Sequence, residues 1–248
     1  MTLSPPADQF HISGTFNFRD VGGLRALDGA KVRPGVLLRS AQLSGLDPAG
    51  HIILRELGIT DVHDLRGLRE IDHIGHDNLP DGIRLNITPF DLRMGEAPPH
   101  DARTGSTLAH MLEVYRVFPE LPEAHRAIVA IAESIARGDG AVLVHCAAGK
   151  DRTGWAVATL LRAVEVTEDD VLADFLLSNG AVASLRAMLS TKLVAGEELS
   201  DDLLGVREEY LAAALTSVRE RHGEFDTYLT AIGLTPRLRG RLRERLLE

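Results

Sequence analysis

Ala141-Val-Leu-Val-His-Cys-Ala-Ala-Gly-Lys-Asp-Arg-Thr-Gly154 passes from a short continuous apolar run into a loop of small and charged residues, and Trp155 to Val164 follows it as a helix-compatible stretch. A brief apolar run bounded by turn residues reads as a buried strand, and the longer stretch after it as a helix that begins near Thr153. The same alternation recurs upstream. Asp47-Pro48 starts a helix that Gly58 stops, and Ile59 to Leu65 follows as a strand, so the chain carries a second α/β unit. Residues 12 to 40 hold short β-prone runs between Gly22-Gly23, Asp28-Gly29 and Pro34-Gly35, which predicts a hairpin or meander. Ile83 to Ile87 reads as a strand, 88 to 106 as a long surface loop, and Leu108 to Val117 and Glu123 to Ala136 as helices. From Thr167, a helix cap before three acidic residues, the chain reads as helix almost to the end, broken near Gly180, Gly196, Gly205, Gly223 and Gly233.

The 248 residues, 44% of them apolar, suffice for one substantial core and predict a single domain, 1–248. The first residues show no basic start followed by an apolar stretch, and no segment approaches the ~18 consecutive apolar residues of a membrane span. A cytoplasmic protein without stable membrane insertion is expected, with export open only to a signal-independent route. A net charge of −9 and 4% aromatic residues argue against nucleic-acid binding, so an anionic ligand must meet a small, concentrated positive site. Basic residues from Arg237 to Arg245 alternate with Leu238, Leu242 and Leu246 and read as a solvated face over a docked leucine stripe. One cysteine, Cys146, excludes an internal disulfide framework and makes a poor basis for structural zinc.

Five residues separate Cys146 from Arg152. A loop that short can turn successive backbone N–H groups inward as an anion nest, with the following helix aiming its positive end at the same point. Ala147, Ala148 and Gly149 are small enough for close approach, and Lys150 and Arg152 add charge that favours a thiolate at Cys146. Arg152 can fork onto two oxygens of a tetrahedral dianion, as lysine cannot. The chemistry this predicts is attack of Cys146 sulfur on phosphorus, protonation of the leaving oxygen, and hydrolysis of a phosphocysteine intermediate to inorganic phosphate. A nucleotide-binding loop would need Ser or Thr after Gly149-Lys150, where Asp151 stands. A silent phospho-ligand module would need neither thiol nor acid, and a sulfur transferase or arsenate reductase would lack a second cysteine. His145 is expected to buttress the loop, and no metal or cofactor is called for.

The loop, together with Asn17-Phe-Arg-Asp-Val-Gly-Gly23, Leu38-Arg-Ser-Ala41, Asp64-Leu-Arg66 with Glu70, Asp174 to Asn179 and Leu204 to Ala213, resembles the atypical bacterial protein tyrosine phosphatases typified by a mycobacterial enzyme. The resemblance implies a protein tyrosine phosphatase-like α/β fold, a mostly parallel central sheet flanked by helices, with a mobile helical lid at about 176–204. It implies phosphotyrosine as substrate, with phosphoserine, phosphothreonine and phosphoinositides in the range of some members, and no metal. Lys150-Asp151 is similar to the lipid-active members, where an added ammonium suits a second phosphate. For the general acid the order of candidates is Asp151, Asp64, Asp91. Asp64 is also expected to organise the loop by accepting hydrogen bonds, with Thr153 in support. Asn17, Arg19 and Asp20 read locally as a turn, and by resemblance as supports beneath the loop.

Overall fold

The computed structural model describes Gln9 and residues 11–90, 107–190 and 200–248. Among the described residues five strands form one sheet: β1 (Arg19–Asp20), β2 (Leu37–Ser40), β3 (Ile59–Asp64), β4 (Arg84–Ile87) and β5 (Ala141–His145). Their order is β1-β2-β5-β3-β4, with β1 antiparallel to β2 and every other pair parallel. The α/β class with a mostly parallel sheet flanked by helices is therefore as expected. The central strand β5 is buried along its whole length, and its side chains alternate between two cores. Val142 and Val144 face a large helical layer, while Ala141 and Leu143 face a smaller one with Phe18, Leu54 and Ile59. A strand covered on both faces must be apolar throughout, and this is why the run carries no polar alternation.

The helices are α1 (Pro48–Glu56), α2 (Leu68–Ile74), α3 (Thr107–Val117), α4 (Pro122–Arg137), α5 (Asp151–Ala163), α6 (Glu168–Leu177), α7 (Val182–Ser190), α8 (Asp201–Leu204), α9 (Glu208–His222), α10 (Phe225–Ala231) and α11 (Pro236–Leu246). Asp47 caps α1 by accepting from the Gly50 N–H, and Thr167 caps α6 by accepting from Asp170, so both sequence-read starts are real. Leu242 and Leu246 of α11 are fully buried, while Arg241 and Arg245 donate to the carbonyls of Ala136 and Gly138 at the end of α4.

Three expectations need correction. Helix α5 begins at Asp151, earlier than Thr153, because the loop's last residue, Lys150, already takes the N-cap place. Helix α2 was not foreseen: it has only seven residues, and the Glu70 side chain that accepts from the Gly67 N–H organises its start. The helical run Glu168–Leu189 is 22 residues long and reaches a mean hydropathy of 1.2 in an 18-residue window, long and apolar enough by length and composition to cross a membrane. No long unbroken apolar stretch marks it, because its leucines, valines and alanines are interrupted by Asp, Ser, Asn and Arg. In the fold it is interrupted by a 3-10 turn at Ser178–Ala181 and buries Asp174 against two arginines.

Candidate active site

The carboxyl ends of the three central strands lie in register, Ser40 and Asp64 each beside His145. Ligands of open α/β sheets bind at such a strand edge. Cys146 leaves β5 there, and the loop turns back into α5 within five residues. Gly149 makes the turn possible: its φ is +68°, and a Cβ would stand 2.1 Å from the Ser40 carbonyl oxygen.

The loop is held by its carbonyls from below. Asn17 Nδ2 donates to the carbonyls of Ala148 (3.1 Å) and Gly149 (3.0 Å), and Arg39 Nη2 donates to Gly149 (2.8 Å). Arg19 donates to Asn17 Oδ1 at 2.6 Å, and Asp174 pairs with both Arg19 and Arg39. Burial pulls the Arg19 pKa down to about 10, helped by the charge on Arg39, and the group stays charged at neutral pH. Asn17 itself sits at φ +56°, a conformation asparagine tolerates better than most residues. Asp20 stays outside this set and accepts from the N–H groups of Gly22 and Gly35, a turn as its sequence reads. With the carbonyls drawn downward, the N–H groups of residues 147–152 meet no backbone acceptor among the described residues. N–H groups left without backbone acceptors at the start of a helix are what an anion nest requires.

Arg152 lies in the first turn of α5, where Glu70 of α2 grips it with both oxygens, Nη2 to Oε1 at 2.7 Å and Nη1 to Oε2 at 2.5 Å. Burial alone would lower its pKa, but the Glu70 carboxylate raises it, so the guanidinium is fixed in charge and in plane. Cys146 is 3% exposed. The Thr153 hydroxyl is buried with no hydrogen-bond partner among the described residues. His145 places Nε2 2.7 Å from Asp77 Oδ2 and Nδ1 3.1 Å from the carbonyl oxygen of Cys146.

Asp151 accepts from the Tyr115 hydroxyl at 2.9 Å and from Lys150 Nζ at 3.1–3.2 Å. Lys150 does not offer a free ammonium to the pocket. Its Nζ also donates to the carbonyls of Leu203 (2.7 Å) and Gly205 (3.1 Å), so three neighbours occupy its three protons. Asp64 does not reach the loop's N–H groups; Arg66 takes both its oxygens at 2.8–3.1 Å. Asp91 lies outside the described residues. Asp64, Asp77 and His145 bring three possible ligand atoms within 4.8 Å of one another, but the Arg66 guanidinium, 2.8 and 2.9 Å from the two carboxylates, fills the position of a cation. The lid region in part lies outside the described residues (191–199); of the rest, Leu185 and Leu204 pack on Ala148, with Val182, Met188 and Leu189 around them.

Glu70, Arg39, Asp77, Tyr115 and Asp174 complete the site without having been read as functional from residue chemistry. A charged Arg39 at the end of an apolar strand and a Gly67-x-x-Glu70 start were usable signals. Tyr115 and Asp77 gave none, since only the fold brings them near the loop.

Residues 10–248 match the family profile described as tyrosine phosphatase family. The chain is 38% identical to the triple specificity protein phosphatase PtpB of Mycobacterium tuberculosis, over 95% of this chain and 98% of that protein. It is 32% identical to a putative tyrosine-protein phosphatase of Cupriavidus necator, over 86% of this chain and 80% of the relative. The crystal structure of P. aeruginosa TpbA aligns with 82% of this chain and 89% of its own, at 19% identity and a TM-score of 0.37. The chain belongs to the tyrosine phosphatase family and is a cysteine-dependent protein tyrosine phosphatase.

Proposed function

We propose that Cys146 is the nucleophile, Arg152 with the N–H groups of 147–152 the oxyanion clamp, and Asp151 the general acid. The observation that carries this reading is that the N–H groups of 147–152, which follow Cys146 in the chain, meet no backbone acceptor among the described residues, beside a guanidinium that Glu70 grips with both oxygens. Cys146 sulfur attacks phosphorus as the bond to the tyrosyl oxygen breaks, and that oxygen takes the proton of the Asp151 carboxyl. Water then attacks the phosphocysteine, giving its proton to Asp151; the P–S bond breaks and inorganic phosphate leaves. Tyr115 holds one oxygen of Asp151, which fixes the carboxyl at the helix start.

Turnover of phosphoserine and phosphothreonine is part of the proposal, on the 38% identity with a phosphatase named for triple specificity. Phosphoinositide turnover requires Lys150 to exchange the Leu203 and Gly205 carbonyls for a second phosphate. Since Cys146 is enclosed, with α7 and α8 packed beside the loop, substrate entry requires this lid to move.

Rates on phosphotyrosine, phosphoserine, phosphothreonine and phosphoinositide substrates test the range, and loss of all but the first would confine it to phosphotyrosine. Asp151→Asn is expected to slow aryl phosphates of high leaving-group pKa by about 10² to 10⁴ fold while sparing activated ones. A small, uniform loss would move the acid to Asp64 or Asp91. Persistent turnover by Cys146→Ser would sink the nucleophile assignment.

A further inference from the structure

His145 ends β5 with its side chain fully buried, and both ring nitrogens face oxygens that accept hydrogen bonds. Nε2 is 2.7 Å from Asp77 Oδ2, and Nδ1 is 3.1 Å from the carbonyl oxygen of Cys146. Two such neighbours require a proton on each nitrogen or one lent by the carboxyl. The other oxygen of Asp77 decides between them. Oδ1 accepts from Arg66 Nη2 at 2.9 Å and from the Leu43 N–H at 3.1 Å, and a guanidinium in that place favours the carboxylate. The proton therefore resides on the imidazole, which becomes a cation one residue from the sulfur-bearing carbon.

The remaining charged and titratable groups facing the ring agree with that state. Asp64 Oδ1 lies 3.8 Å from Nδ1, and its charge favours the cation. Arg66 opposes it, as does burial, yet Asp77 and Asp64 together carry the His145 pKa above the ordinary histidine value. His63, on β3, has its pKa pushed down to about 4 by burial and adds no charge at neutral pH.

We propose that Asp77 is a positioning residue for the nucleophile: it holds His145 doubly protonated and oriented, so that a cationic ring donates to the Cys146 carbonyl and favours the thiolate. This rests on Cys146 being the nucleophile. Asp77 bonds the Leu43 N–H, Arg66 and His145, and it comes from the segment after α2, remote in sequence from the loop. A merely structural ion cluster would affect folding but not the ionisation of the thiol.

The test is alkylation of Cys146, the only thiol, by iodoacetamide across a pH series, with turnover measured in parallel. In Asp77→Asn the midpoint of alkylation should rise by about one pH unit, about tenfold less thiolate on its acid side, and the acid limb of kcat/KM should move with it. An unchanged midpoint in a folded Asp77→Asn overturns the proposal. Should that variant not fold, ¹⁵N NMR of the histidine-labelled wild type decides: two protonated ring nitrogens on His145 at neutral pH support it, and one overturns it. Alkylation that leaves wild-type turnover intact would instead reject the nucleophile assignment, whatever the midpoint.

Discussion

At Gly149 two independent constraints meet: a backbone at φ +68°, and a neighbouring strand whose Ser40 carbonyl would be 2.1 Å from any Cβ. An alanine in the left-handed region costs of order 1–3 kcal/mol, and the overlap adds to it because β2 and the loop are both backbone. Gly149→Ala should therefore lower the thermal midpoint, at about 2–4 °C per kcal/mol for a chain this size, and abolish most aryl phosphate turnover. Calorimetry and a turnover assay check the two effects separately. Retention of wild-type kcat would mean that the nest tolerates a displaced N–H. The need for glycine here was legible as a preference for small residues. The specific obstacle was not, because it lies on a strand more than a hundred positions upstream.

The loop and helices α7 and α8 form one packed unit, since Ala148 contacts Leu185 and Leu204 and Lys150 grips the carbonyls at the end of α8. Hydrogen bonds from a charged donor contribute about 1.5–3 kcal/mol each, whereas α8 with four residues has little helical stability of its own. Lys150→Met should therefore speed amide exchange at residues 203–206 by about tenfold or more while exchange in β5 stays unchanged. Hydrogen exchange read by mass spectrometry checks this, and equal protection in both proteins would show that Asn179, which bonds the N–H and carbonyl of Val206, holds the segment alone. Helices α1, α3, α4 and α6 were legible because caps and periodic apolar residues are local. Helix α2 was not, since its short span gives no period and its capping Glu70 also serves Arg152.

Over the whole molecule, buried titratable groups set the pH range of stability. His63, with a folded pKa of about 4, refuses the proton that the unfolded chain accepts near ~6.5, so stability falls as pH falls through that window. The effect amounts to at most about 3 kcal/mol. Asp77 and Asp174 lie below the ordinary carboxylate range, despite burial, because Arg66 with His145, and Arg19 with Arg39, face them. Their contribution is present above ~3.9 and is lost as pH falls further. His145 acts in reverse: its pKa is raised, so its contribution is complete below ~6.5 and fades as pH climbs through the folded value. Urea midpoints should thus be highest near neutral pH, and His63→Gln should flatten the slope between ~6.5 and ~4. An unaltered slope in that variant would assign the acid loss to the carboxylates. By itself the sequence determined the strand-loop-helix unit, the Cys146 to Arg152 spacing and the α/β class, because each depends on neighbours a few residues apart. Only the tertiary structure decided which distant groups complete the loop: Glu70 on Arg152, Tyr115 on Asp151, Arg39 beneath Gly149 beside the Asn17 that resemblance had suggested, Asp77 behind His145. Each is a buried polar or charged side chain, and the partner that satisfies it is fixed by the packing of separate elements.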